Sequence, residues 1–272
     1  MRRRVWLRAG LVASCLVGLE SSRPTQAASL IVPNQGIGPT ALSVHGLRVG
    51  ERLSFQGRWF GIPVGHGWIE VKELTELDGR PAYHIEAQGY SNELLSSFYP
   101  VRDVLHSYLD AATLQPLRFE KSQREGRYRA EEVVSFDYGR LIATYRSLLN
   151  GSVKEIPIGP DTHDIVSSFY HLRNEPVRLS RRTEMSVYSD EKIYRMELRS
   201  LGSEMVEIRR SVFSCLVIEP IASFKGVFVR RGRVIAYVTA AEPHIPLLVK
   251  IATPWGPMTG ILEQASLSEW KA

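Results

Sequence analysis

Asp161, His163, Asp164, Ser167, Ser168 and His171 crowd one short stretch of the chain, and these are the residue types of an acyl-transfer site. Such a site brings nucleophile, base and orienting carboxylate together from separate elements, whereas these lie on one segment of helical spacing. The stretch contains no Gly-x-Ser-x-Gly elbow, and Asp161 and Asp164 have a simpler task at the start of a helix. A hydrolase using His163 or His171 with a nearby serine is therefore the alternative reading, and no catalytic residue is assigned. Metal chemistry is served no better. His163 and His171 are too far apart to share a helix face as an i, i+4 pair does, and His66, His84, His106 and His244 are scattered. Neither a metal site nor a cofactor is expected.

The Arg102-Asp103 dipeptide carries more information. Neighbours on a strand point to opposite faces, so one of the two turns inward while the other meets solvent. A buried ion pair or a polar lining is the expected role. Trp59, Trp68, Phe98, Tyr99, Phe119 and Trp255 supply either core or the walls of an apolar site. The candidate ligand-binding set is Trp59, Trp68, Tyr99, Arg102, Asp103, Tyr108 and Phe119, and the chemistry it suits is an acyl chain or another apolar ligand.

The elements that must position these residues read as strands. Val101 to Leu109 is rich in β-branched and aromatic residues, and Asp110 to Thr113 supplies turn chemistry. Leu117 and Phe119 then alternate with Arg118 and Glu120, up to Lys121. Leu53, Phe55, Gly57 and Trp59 alternate likewise with Arg52, Ser54, Gln56 and Arg58. Asp78-Gly79 and Asn150-Gly151 mark turns. The expected fold is all-β: a single curved antiparallel sheet closing towards a barrel or half-barrel. Short helices are expected at about 93–99, capped by Asn92, and at about 162–174, capped by Asp161 or Thr162. Cys215, between Phe213 and Val217 on one face, reads as a small core hydrophobe.

The N-terminus reads as a targeting signal. Arg2, Arg3, Arg4 and Arg8 precede an apolar run from Ala9 to Leu19, and small residues follow at Ala27 and Ala28. The expected organisation is a signal peptide over 1–28, an irregular arm or linker over 29–46, and one all-β domain over 47–272. Val12-Ala-Ser-Cys15 has the shape of a lipobox, so a lipid on Cys15 is the route by which the chain would be held at a membrane. The expected location is the periplasm or another exported compartment, with an outer-membrane lipoprotein as a variant. Of the 34 basic and 29 acidic residues, five basic and one acidic fall in residues 1–28. The remainder is close to neutral, so no nucleic-acid partner is expected. It also holds one cysteine, Cys215, so stability must come from core burial without an intramolecular disulfide.

Several segments carry a family resemblance: Gly50-Glu-Arg-Leu-Ser-Phe, Gly61-Ile-Pro-Val-Gly65, Gly79-Arg-Pro-Ala-Tyr-His-Ile-Glu-Ala87, Val101-Arg-Asp103, Thr113-Leu-Gln-Pro-Leu-Arg-Phe-Glu-Lys121 and Ile218-Glu-Pro220. In combination they resemble the exported bacterial DUF3108 domain family over about Leu47 to Leu267. That resemblance implies a secreted or periplasmic all-β protein with no established activity. The strand–Asp–Thr–Leu–Pro–strand hairpin is also similar to those of periplasmic lipoprotein carriers with an open half-barrel sheet. A lipid or lipoprotein is accordingly the expected partner class. An assembly partner without a ligand is the remaining alternative.

Overall fold

Alternation of apolar and polar residues dominates the chain, and the strands follow it. In the computed structural model, residues 47–174, 183–224, 227–228 and 233–266 are described. The signal, Cys15 and the 29–46 arm lie outside them. The chain runs β1 (Arg52–Trp59), β2 (Ile62–Leu77), β3 (Arg80–Ser91), α1 (Glu93–Ser96), β4 (Val101–Asp110), β5 (Pro116–Glu125), β6 (Tyr128–Asp137), β7 (Ile142–Ser147) and β8 (Val153–Pro157). It continues through β9 (Thr162–His163), α2 (Ile165–Asn174), β10 (Thr183–Ser189), β11 (Lys192–Ile208), β12 (Ser211–Phe224), β13 (Val227–Phe228), β14 (Val234–Thr239), β15 (Pro246–Thr253) and β16 (Gly256–Ser266).

These strands form one sheet in the order β8-β7-β6-β5-β4-β3-β2-β1-β16-β15-β14-β12-β11-β10-β9, with β13 beside β12. The pairings are antiparallel except β9 with β10. The all-β expectation therefore holds, and the sheet curls towards a barrel without closing. Its edge strands β8 and β9 are not paired with each other, yet they are joined through residues 158–161. The two edges consequently come close together in space. Lys154 of β8 forms an ion pair with Glu191 in the β10–β11 turn.

Local chemistry fixes the turns. Phe60 and Gly61 both adopt positive φ (48° and 78°), as do Asp78 and Gly79 (51° and 78°), the backbone of a tight hairpin turn whose twist matches the strands it joins. Gly65 is required for another reason: a Cβ there would lie 2.3 Å from the Tyr90 carbonyl oxygen. At the β4–β5 turn, Asp110 Oδ1 accepts the amides of Ala112 and Thr113 at 3.0 and 2.9 Å, as the turn chemistry of Asp requires.

The concave face is filled. Leu53, Val71, Ile85, Leu109 and Val134 are fully buried there, and Val166 and Tyr170 of α2 pack into the same core. Truncating Leu53 or Leu109 to alanine in such packing costs about 2–5 kcal/mol. Cys215 is fully buried in this core, as its alternation with Phe213 and Val217 suggests. No helix among the described residues is long and apolar enough to cross a membrane.

Candidate functional site

Strands β4 and β5 pair so that Asp103 faces Gln123, Ser107 faces Phe119 and Leu105 faces Lys121. Their inward side chains therefore form one stripe, apolar at one end and polar at the other. Asp103 turns inward and is buried, while Arg102 is exposed on the outer face. The expected ion pair between a buried Asp103 and an arginine does not form. Instead Arg124 offers its backbone amide to Asp103 Oδ1 at 3.0 Å, and Gln123 Nε2 donates to Asp103 Oδ2 at 3.1 Å. The same amide donates to Glu125 Oε1 at 3.0 Å.

Burial raises both carboxyls from their ordinary range; Asp103 raises Glu125 further, whereas the hydrogen bond from Glu125 partly offsets the rise of Asp103. Glu125 is pushed up to about 8, so the pair shares a proton at neutral pH. Tyr99 sits beside them against Gly126, where a Cβ would lie 2.8 Å from its ring. Its hydroxyl is raised by burial and then by Glu125 and Asp103. Deeper along the stripe, Lys121 is buried between Glu132 and Asp190, at 3.1 and 2.9 Å. Burial disfavours its ammonium, but the two carboxylates outweigh that and raise its pKa.

The void beside Lys121, lined by Leu105, Phe119, Ile165 and Tyr188 among others, holds about 20 Å³. That is room for one water. A second hollow, of about 190 Å³, opens between β6, β7 and the β10–β11 turn and is lined by Tyr128, Glu131, Tyr145 and Glu191 among others.

The candidate set is thus divided by the pleat. Asp103 and Phe119 face inward and Tyr99 stands at the mouth, so these three share a region. Trp68 lies on the outer face with Arg52 over its ring at 4.1 Å. Tyr108 is also outside, stacked on His84 with ring centroids 4.7 Å apart. Trp59 stands at the rim, its indole N–H donating to the Trp255 carbonyl at 3.1 Å.

The histidines are less scattered than their spacing suggests. His84 Nε2 and His106 Nδ1 are 3.0 Å apart across β3 and β4. His163 falls on β9 and not on the helix, so its ring stacks on His171 of α2 at 4.5 Å. Burial, and then the neighbouring His171, lower His163 to about 4. The neighbouring serines are committed elsewhere: Ser167 Oγ accepts the Asp164 amide at 2.8 Å, and Ser168 Oγ donates to the Ile165 carbonyl at 3.0 Å. Among the described residues, no group of three or more His, Cys, Asp or Glu side chains is arranged to hold a metal ion.

The helix cap is Asp164, not Asp161 or Thr162. Its Oδ1 accepts the amides of Val166 and Ser167 at 2.7 and 2.8 Å. Its Oδ2 accepts the Ser107 hydroxyl at 2.6 Å, tying the start of α2 to β4. At the other end of α2, Arg173 makes a buried two-point contact with Glu51, Nη2 to Oε2 being 3.1 Å. Of the residues missed from sequence, Lys121, Gln123 and Glu125 carried a signal. They continue the inward alternation of Leu117 and Phe119, once the strand is extended past Lys121.

Residues 54–263 match the family model described as a protein of unknown function, DUF3108. The chain belongs to that family. A crystal structure of a β-barrel-like protein of the domain of unknown function DUF1849, from Brucella abortus, has the same fold, with a TM-score of 0.56 at 7% identity, covering 80% of this chain and 97% of that one. A Bacteroides fragilis protein with a YmcC-like fold is a more distant match, with a TM-score of 0.31 at 9% identity over 81% of this chain and 97% of that one. No curated protein matches this sequence.

Proposed function

We propose that this is an exported, non-enzymatic protein of the cell envelope, whose concave sheet face receives an apolar ligand, a lipid or the acyl chains of a lipoprotein. Export rests on the basic N-terminus, the apolar run to Leu19 and the small residues at Ala27 and Ala28. One observation carries the ligand reading: the curled sheet stays open at β8 and β9, and what fills its concavity includes a short helix, α2, bearing Val166 and Tyr170. A sheet that packed only on itself would not need that plug. With α2 seated, the space beside Lys121 takes a water and no more, so the ligand state in this reading has α2 lifted from β4. The Ser107–Asp164 and Glu51–Arg173 contacts are its latches.

Native mass spectrometry after mild extraction tests the reading. Lipid should co-purify with the protein, and Asp164→Ala, which loosens the N-terminal latch, should take up a fluorescent fatty acid faster. Absence of lipid from the parent, together with no uptake by parent or variant, removes the reading.

A further inference from the structure

Bulky apolar side chains stand exposed around one end of the barrel. The antiparallel register sends the β1–β2, β3–β4, β5–β6 and β15–β16 connections to that end. There Phe60, Ile62, Leu94, Phe98 and Trp255 are 58, 55, 56, 64 and 53% exposed. Backbone and side-chain bonds join the tips into a rim. Phe60 gives its amide to the Pro257 carbonyl at 2.9 Å, Trp59 reaches the Trp255 carbonyl, and Asn92 Nδ2 donates to the Pro63 carbonyl at 2.8 Å. Phe60 is notable in itself. A bulky residue in the left-handed region is uncommon, since glycine or asparagine fits a turn there with less strain.

Beside this rim, on the outward face, Arg102, Arg124 and Arg129 occupy directly paired positions on β4, β5 and β6. Like charges opposed across strands work against folding unless an anion compensates them. Glu131 reaches Arg124 at 3.3 Å, and Arg127 in the adjoining turn adds a fourth exposed guanidinium. At the other end of the barrel the arginines are matched singly: Arg80 with Asp110, Arg140 with Glu155, and Arg209 with Glu263. An apolar rim edged by an arginine row complements one kind of surface. Aromatic and aliphatic side chains partition to the boundary between headgroups and acyl chains. Guanidinium groups there bind phosphates in a fixed geometry and draw the protein to a negative leaflet.

We propose that this end of the barrel docks on an anionic phospholipid surface, with Phe60, Phe98 and Trp255 entering the interface and Arg102, Arg124 and Arg129 pairing with lipid phosphates. The docking is separate from any ligand in the concave face and from a lipid on Cys15.

Co-sedimentation tests it, using the exported protein carrying Cys15→Ser so that no acyl anchor contributes. Binding to vesicles of equal phosphatidylglycerol and phosphatidylcholine should exceed binding to phosphatidylcholine alone by about a hundredfold and should fall as salt rises. Arg102→Gln/Arg124→Gln/Arg129→Gln should remove that preference. Phe60→Ser/Phe98→Ser/Trp255→Ser should cut binding about tenfold or more with the melting temperature retained, because the side chains are exposed. Leu74→Ser/Val212→Ser, at the opposite end, should change nothing. Equal binding to both vesicle types, no binding to either, or full binding by the folded rim variant overturns the proposal. A rim that instead holds an envelope protein would give the second of these outcomes.

Discussion

Gln123 stands between two buried carboxyl groups, its Nε2 donating to Asp103 Oδ2 at 3.1 Å and to Glu125 Oε1 at 3.0 Å. One side-chain amide and one backbone amide donate to this pair, and neither carries a charge. Two ionised carboxylates would have nothing strong enough to hold them together out of water, so one keeps its proton. The inward half of the Arg102-Asp103 dipeptide thus belongs to a proton-sharing corner of the barrel interior, while the outward half belongs to a row of cations on its surface.

That corner sets a pH dependence. Glu125 is raised from 4.5 to about 8, so between those values the native state binds more protons than the unfolded chain. Stability then falls as pH rises through this window. Glu125→Gln should flatten the fall and stabilise the protein by about 2–4 kcal/mol at pH 8. Melting temperatures of parent and variant at pH 5 and pH 8 check this; equal slopes would show that Glu125 ionises normally. Asp103→Ala should cost about 1–3 kcal/mol, the price of an orphaned amide rather than of a broken ion pair.

Among the described residues, Glu51 and Arg173 close the largest sequence separation of the buried ion pairs, 122 residues. Arg173→Met leaves Glu51 charged and unpaired at 1% exposure, which should destabilise by about 3–5 kcal/mol. Glu51→Leu/Arg173→Met removes both charges and should recover most of that loss, since apolar replacements of buried pairs are often neutral. Urea denaturation of the two single variants and the double variant completes the cycle. Additive losses would mean that the two side chains do not interact.

How much of this could be read from residues alone follows from the range of each interaction. The hairpin at Asp110 depends on bonds to residues two and three positions ahead, and the alternation of Leu53 and Phe55 with Ser54 and Gln56 depends only on the pleat. Both were legible. So was the inward-outward division at Arg102-Asp103, though not which residue turned inward. Strand order was not, because β1 pairs with β16 across nearly the whole domain, and no local pattern carries that pairing. The His84–His106 contact and the Lys121–Asp190 ion pair depend on the same long-range register. Asp161 and Thr162 are good caps by residue type, so sequence alone places His163 in the helix. Asp164 outcompetes them because its second oxygen also receives Ser107 from β4.

Asp164 therefore does two things, and its removal should show both. Asp164→Ala strips two amides of α2 of their acceptor and leaves the Ser107 hydroxyl without a partner, a loss of about 2–4 kcal/mol in total. Asp164→Asn keeps an oxygen for the cap and should cost less. Amide exchange over 165–174 should rise in the alanine variant before exchange in β1 to β5 does. Uniform acceleration across the domain would mean that α2 does not open on its own.

His163 supplies the acid limit. Its imidazole is held neutral by burial, down to about 4 against an ordinary 6.5, and Nδ1 has no hydrogen-bond partner. Between pH 6.5 and 4 the unfolded chain takes up a proton that the native state refuses, so stability is lost as pH falls through this window. This slope opposes that of Glu125 between pH 4.5 and 6.5, so the two contributions cancel there and leave a plateau on the mildly acidic side of neutrality. His163→Phe keeps a ring against His171 and has no proton to take up. The variant should match the parent at pH 7 within about 1 kcal/mol and exceed it by about 1–3 kcal/mol at pH 4.5. Chemical denaturation at the two pH values decides the matter, and an acid sensitivity identical in parent and variant would assign the loss to another group.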